Sequence, residues 1–242
     1  MRRLRRIGNV VNLFAVVVAV ALALACASRM KMYVNPEHVV QVARPEHPNV
    51  AWSIVEFDDQ GLMFDSAQLD RALAKLRELA RTKAGHLRLV VYVHGWKHDA
   101  SEEDAEDKNG NLRQFPLLLE QFESDDADDQ VFGLYMAWRG EALGRDEPVN
   151  KLFQPWITFF SRIRAAGRVA RPSFTEALLC VLTAAELEFN ADPLQPDRTT
   201  SVVIGHSMGG YIVEEALSKA MLGSLFAQLP AVNVSKKYHA SL

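Results

Sequence analysis

Cysteine is nearly missing from this chain: Cys26 and Cys180 are the two among 242 residues. That excludes a disulfide-stapled fold and a cysteine-based metal centre. Positive charge is not in excess either. Lys and Arg number 27 against 30 Asp and Glu, for a net charge of -3. Because Arg2, Arg3, Arg5 and Arg6 all sit at the amino terminus, residues 26–242 carry -7, a poor match for nucleic acid. Internal repeats and low-complexity tracts are absent, so neither a solenoid nor a biased linker competes with a globular reading. What remains is 242 residues, 49% of them hydrophobic, enough for one domain with a buried core.

The four arginines precede Leu13–Ala27, fifteen residues without a charged or strongly polar side chain. A basic segment followed by an apolar one signals export. Fifteen helical residues reach roughly 22 Å, short of a hydrocarbon core of about 30 Å, which favours a cleaved signal; counting from Ile7 lengthens the stretch towards a span. Ala23-Leu24-Ala25-Cys26 resembles a bacterial lipoprotein signal, which would make Cys26 the lipidated residue. An uncleaved anchor is the alternative. Both place the folded part in the bacterial cell envelope, membrane-anchored or periplasmic. Residues 1–28 are therefore read as signal or anchor. Residues 29–50, with Pro36, Pro45 and Pro48, are read as an extended tether, and 51–242 as the globular domain.

Ala51–Phe57 is strand-like and ends in the turn signal Asp58-Asp59-Gln60-Gly61. Asp65 or Ser66 can cap a helix whose Leu69, Leu73, Leu76 and Ala80 fall on one face. Leu87–Val93 and Val131–Ala137 are near-continuous apolar runs, as expected of strands buried on both faces of a parallel sheet. A short helix is expected near Leu112–Phe122. Ser173-Phe174-Thr175-Glu176 reads as a capping box opening a helix to about Phe189, with Cys180 a buried thiol inside it. Strands alternating with helices predict an α/β fold, a mostly parallel sheet with helices on both faces and functional groups at the carboxyl ends of the strands.

Two such ends carry chemistry. After the apolar Ser201–Ile204, the run Gly205-His206-Ser207-Met208-Gly209-Gly210 leads into the helix-like Tyr211–Leu222. A strand turning straight into a helix around a serine is a nucleophile elbow, and Gly205 and Gly209 provide the nearly side-chain-free flanks it needs. The elbow offers the Met208 N–H to a developing oxyanion. His94-Gly95-Trp96, following the strand Leu87–Val93, is placed to offer a second from Trp96, with Gly95 allowing close approach and His94 bracing the loop.

With Val91-Tyr92-Val93-His94-Gly95-Trp96-Lys97-His98, the elbow looks like the α/β-hydrolase superfamily, and within it the chain is similar to bacterial lipase- or esterase-like proteins from about Ala51 to Leu222. The resemblance implies hydrolysis of a small-molecule or lipid ester, with Ser207 as nucleophile and no cofactor. It also implies a triad in the order serine, acid, histidine, on loops after later strands. After Ser207 there is no aspartate and a single histidine, His239. His239 is the one base on offer, and the fold is expected to lack its last strands. Such a sheet has an open apolar edge through which copies would associate. A non-catalytic binding protein, anchored at the envelope on the same scaffold, is the alternative.

Other polar residues read more plainly. Glu214 and Glu215 belong to the helix flank, and His206 to local packing. His94 and His98 lie on a loop and make no metal pair. The six carboxylates of Asp99–Asp107 read as a solvated rim, and Asp107–Asn111 lacks the ligands of a calcium loop. The cluster Trp156–Phe160 fits burial against the sheet better than a lid over the site.

Overall fold

The computed structural model describes residues 32–42, 44–82, 85–140, 148–191 and 197–228. The proposed signal, Cys26 and His239 lie outside them. No helix among the described residues is long and apolar enough to cross a membrane.

Five strands form one sheet: β1 (Val40–Val42), β2 (Val50–Phe57), β3 (Leu87–Val93), β4 (Gln130–Trp138) and β5 (Thr199–Gly205), ordered β1-β2-β4-β3-β5. All pairs are parallel except β1 with β2. Between β2 and β3 runs helix α1 (Ser66–Thr82). The short α2 (Glu102–Glu106) and α3 (Asn111–Glu120) link β3 to β4, while α4 (Pro148–Val169) and α5 (Pro172–Phe189) link β4 to β5. Helix α6 (Met208–Gln228) follows β5.

Handedness decides which face each helix covers. The chain moves two places along the sheet from β2 to β3, one place back to β4, then two forward to β5. Right-handed crossovers place helices of forward moves on one face and those of the backward move on the other. So it is here. Leu76 of α1, Ala166 of α4, Phe174 of α5 and Ile212 of α6 pack with Leu89, Val91, Phe132 and Leu134. On the opposite face Leu112, Phe115 and Leu119 of α3 pack with Val90, Val131 and Tyr135. Alternate residues of β3 and β4 thus enter different cores, the period of two that an extended chain imposes, and all nine residues of β4 are buried.

Within the segment 29–50, expected to be an extended tether, residues 33–42 and 44–50 lie against the domain instead. The buried Glu56 carboxylate accepts the backbone N–H groups of Tyr33 (2.9 Å) and Val34 (2.8 Å) and the Gln68 amide (3.0 Å), and β1 adds an antiparallel edge to β2. Burial raises the Glu56 pKa, against those three donors, and pushes the Tyr33 phenol up to about 12, helped by Asp99. Two other expectations change. The capping box at Ser173 does not form, because Pro172 opens α5 and the N-cap is Arg171. Cys180 is exposed, since α5 buries the face bearing Phe174, Ala177, Leu178, Val181, Ala185 and Phe189.

Helix α3 approaches the sheet closely because β4 carries Gly133 where it crosses. A Cβ there would run into Leu119 Cδ1 and stand 2.8 Å from Phe115 Cζ. Gly133→Val is therefore expected to destabilise the protein by about 1–3 kcal/mol through overpacking, read as a lowered urea midpoint. An unchanged midpoint would mean that α3 shifts freely.

Candidate active site

Ser207 follows β5 by two residues and precedes α6 by one, and it holds φ at +55°. The left-handed region costs a residue with a Cβ roughly 1–2 kcal/mol. Three hydrogen bonds fix the turn: His206 N–H to Val93 O (2.9 Å), Gly209 N–H to His206 O (2.8 Å) and Gly210 N–H to Ser207 O (3.0 Å). The first extends β5–β3 pairing one residue past the strand. The other two start the helix. A Cβ on Gly209 would overlap the Val93 carbonyl and lie 2.6 Å from His94 O, so only glycine lets α6 begin this close to the end of β3. Ser207 itself is exposed.

The loop after β3 comes up against that turn. A Cβ on Gly95 would lie 2.9 Å from His206 Nδ1 and 3.0 Å from Ser207 Cβ, so the two motifs, more than a hundred residues apart, touch through a missing side chain. The amides of Trp96 and Met208 carry no hydrogen bond among the described residues. Both are free to receive an oxyanion. Trp96 is half-buried, its ring edge-to-face with Phe159 at 5.3 Å, whereas Phe160 is 59% exposed. The Trp156 side chain lies outside the described residues; of its cluster, Phe159 packs on the loop and against the core, and Phe160 meets it edge-to-face at 5.7 Å.

His94 braces the loop from beneath. Its imidazole is fully buried, accepts the Trp138 N–H at Nε2 (2.9 Å) and donates from Nδ1 to Gly95 O (2.9 Å), while Trp138 Nε1–H donates to His94 O (2.9 Å). Burial lowers its pKa to about 4, so the ring is neutral at physiological pH. Lys97 N–H donates to Gly140 O (3.1 Å) and Gly140 N–H to His98 O (2.9 Å), tying the loop to the end of β4.

The acidic stretch departs most from expectation. Asp104 is fully buried. Its carboxylate contacts His98 Nδ1 (2.7 Å) and accepts the Leu112 N–H (2.8 Å); burial alone would raise its pKa, but His98 and that amide outweigh it and hold the pKa below the ordinary range. The His98 ring lies 6.3 Å from that of His206, so a histidine–carboxylate pair stands beside the elbow. A helix of five residues, α2, capped by Ser101, presents Asp104 inward. One signal was readable beforehand: serine three residues before an acidic residue, the pattern of a helix start.

A second buried charge cluster sits at the ends of β2 and β4. Arg162 forks onto Asp59 (2.9 and 3.0 Å) and reaches Arg139 O (2.8 Å), with Arg139 also on Asp59. Burial works to raise the Asp59 pKa, and the two guanidiniums overcome it. This cluster fastens α4 over the ends of the strands. Among the described residues no group of histidine, cysteine and carboxylate side chains could hold a metal, and Ser207 Oγ has no hydrogen-bonded base.

No protein-family model, curated protein or solved structure matches this chain. The site is therefore argued from its geometry.

Two measurements follow from it. Ser207→Gly is expected to be about 0.5–1 kcal/mol more stable than Ser207→Ala, because both lose the hydroxyl and only alanine keeps the strain; equal urea midpoints would show a relaxed turn. The second concerns His94. An unfolded chain binds a proton near pH 6.5 that folded His94 refuses until about 4, so stability falls as pH drops through that window. By pH 4.5 the His94 contribution is roughly 2–3 kcal/mol, and His94→Gln should remove that part of the pH dependence. An equally steep decline in both proteins would place the proton elsewhere.

Proposed function

We propose that the protein is a serine hydrolase of α/β-hydrolase architecture that cleaves esters, working from the bacterial cell envelope. One observation carries this reading: an exposed serine at φ +55° between β5 and α6, with unbonded backbone N–H groups at Met208 and at Trp96, on a turn and a loop that touch at Gly95. A turn made only for packing has no use for a hydroxyl in a conformation that favours glycine. The serine follows the edge strand β5 and the second donor the neighbouring parallel strand β3, and a serine on a strand-to-helix turn beside such a loop agrees with the arrangement of these elbows.

In the proposed reaction Ser207 Oγ attacks the acyl carbon, and the carbonyl electron pair moves to oxygen, where the Trp96 and Met208 amides meet the negative charge. Collapse of this intermediate expels the alcohol and leaves an acyl-serine, which water then hydrolyses. The Oγ proton needs an acceptor. His239 is the histidine that chain order would supply, and it lies outside the described residues. A small-molecule or lipid ester suits the exposed serine and the aromatic Trp96–Phe159 wall beside it. The second reading, a binding protein on this scaffold, draws on the lack of a base against Ser207 Oγ among the described residues.

A fluorophosphonate probe separates the two readings. It should label the full-length protein, and Ser207→Ala should abolish labelling together with hydrolysis of a short p-nitrophenyl ester. Labelling that survives Ser207→Ala, or no labelling of the folded wild type, would overturn the hydrolase proposal.

A further inference from the structure

One side chain touches both halves of the oxyanion site. Asn111, the first residue of α3, accepts the Gly95 N–H at Oδ1 (3.3 Å), and the same oxygen lies 3.1 Å from His206 Nδ1. Gly95 immediately precedes Trp96. His206 is two residues from Met208. A backbone N–H can only donate, so the Asn111 side chain must present its oxygen here, and His206 must in turn carry its proton on Nδ1 to bond it. Asn111 is itself held: the next amide, Leu112 N–H, donates to the buried Asp104 (2.8 Å), whose carboxylate also takes the His98 Nδ1 proton. The elbow is tied to β3 at its root, where His206 N–H donates to Val93 O (2.9 Å); beyond that root the loop meets it across the missing Cβ of Gly95, a contact that limits how near they come but not how far apart they drift.

We infer that Asn111 is the positioning residue of this site, a polar bridge that sets the separation of the Trp96 and Met208 amides by bonding the loop on one side and the elbow on the other. The inference rests on the serine-hydrolase reading for its catalytic consequence, though not for the bridge itself. Asp104 and His98 form its footing, since they fix the loop and the start of α3 to each other. An oxyanion hole built from two separate loops acts only when both donors reach the same oxygen, and displacement by about 1 Å costs on the order of a hundredfold in rate. Asn111 touches no reacting atom. Its effect passes through Gly95 and His206.

The test uses the full-length protein in detergent and three variants: Asn111→Leu, branched at the same carbon but bulkier and with no acceptor; Asn111→Ala, which leaves space rather than a clash; and Asn111→Asp, which keeps the acceptor. Thermal melts establish which variants are folded. At pH 8, where an ordinary imidazole is neutral, long-range nitrogen–proton NMR should show His206 protonated at Nδ1 in the wild type and Asn111→Asp, and exchanging between tautomers in the apolar variants. Fluorophosphonate labelling should slow roughly tenfold or more in Asn111→Leu and Asn111→Ala and stay within about threefold of wild type in Asn111→Asp. An Nδ1 proton that persists in the apolar variants overturns the bridge. A lost tautomer with unchanged labelling overturns the positioning role. A wild type that never labels sinks the hydrolase reading instead, and the His206 tautomer then judges the bridge alone.

Discussion

His94 joins β3 to β4 where the functional loop leaves the sheet, and it does so as a buried neutral imidazole bonded at both nitrogens. A buried polar ring is costly unless satisfied, and here Trp138 N–H and Gly95 O satisfy it at 2.9 Å each. The same ring stacks between Tyr135 and Trp138. Because its bonds run to backbone atoms of both strand ends, the path taken by Gly95 and Trp96 is set by the sheet rather than by the loop. The Trp96 amide thereby inherits the rigidity of the core. Protonating His94 would remove the acceptor that Trp138 N–H requires, which is why loss of the loop and loss of stability at low pH should be one event.

Around this joint the molecule keeps charge only where geometry answers it. Asp59 and Arg162 are both nearly inaccessible, an arrangement that needs paired and hydrogen-bonded ions to be tolerated at all. Their fork fixes α4 against the ends of β2 and β4, the edge of the region where a substrate would sit. Asp104 does the same for α3 through Leu112, and Glu56 for the segment ahead of β1 through Tyr33 and Val34. Three buried carboxylates each receive N–H groups from outside their own element, Glu56 and Asp59 from residues at least 22 positions away and Asp104 from the start of the next helix. They place what the apolar cores leave undetermined.

That division of labour explains what could be read from residues alone. β2, β3, β4 and α1 are legible because their apolar residues recur with the period of their own geometry, and the Leu69–Leu76 face of α1 is the buried one. The tight turn from β5 into α6 is legible because Gly205 and Gly209 bracket it between an apolar run and a helical one. Helix α4 was not, since its buried stripe of Arg162, Ala165, Ala166 and Val169 contains an arginine that becomes interior only once Asp59 meets it. Asp104 is only half legible: Ser101 marks a helix start, but nothing local tells that this carboxylate of the six is the fully buried one that meets His98. Asn111 carries no local signal whatever, because its partners lie 16 and 95 residues away. Apolar periodicity is a local property, whereas polar satisfaction is decided by the tertiary fold.

The strained serine shows which of these forces the site depends on. Roughly 1–2 kcal/mol set against Ser207 by its backbone is offset by the hydrogen bonds of His206, Gly209 and Gly210 and by the packing of Met208 and Ile212 in the core below. None of those interactions uses the hydroxyl. Glycine at this position would keep every one of them and relieve the strain. Fold stability therefore gives no reason for a side chain at 207, where an exposed hydroxyl stands on a turn whose Met208 amide, like that of Trp96, bonds to no described residue.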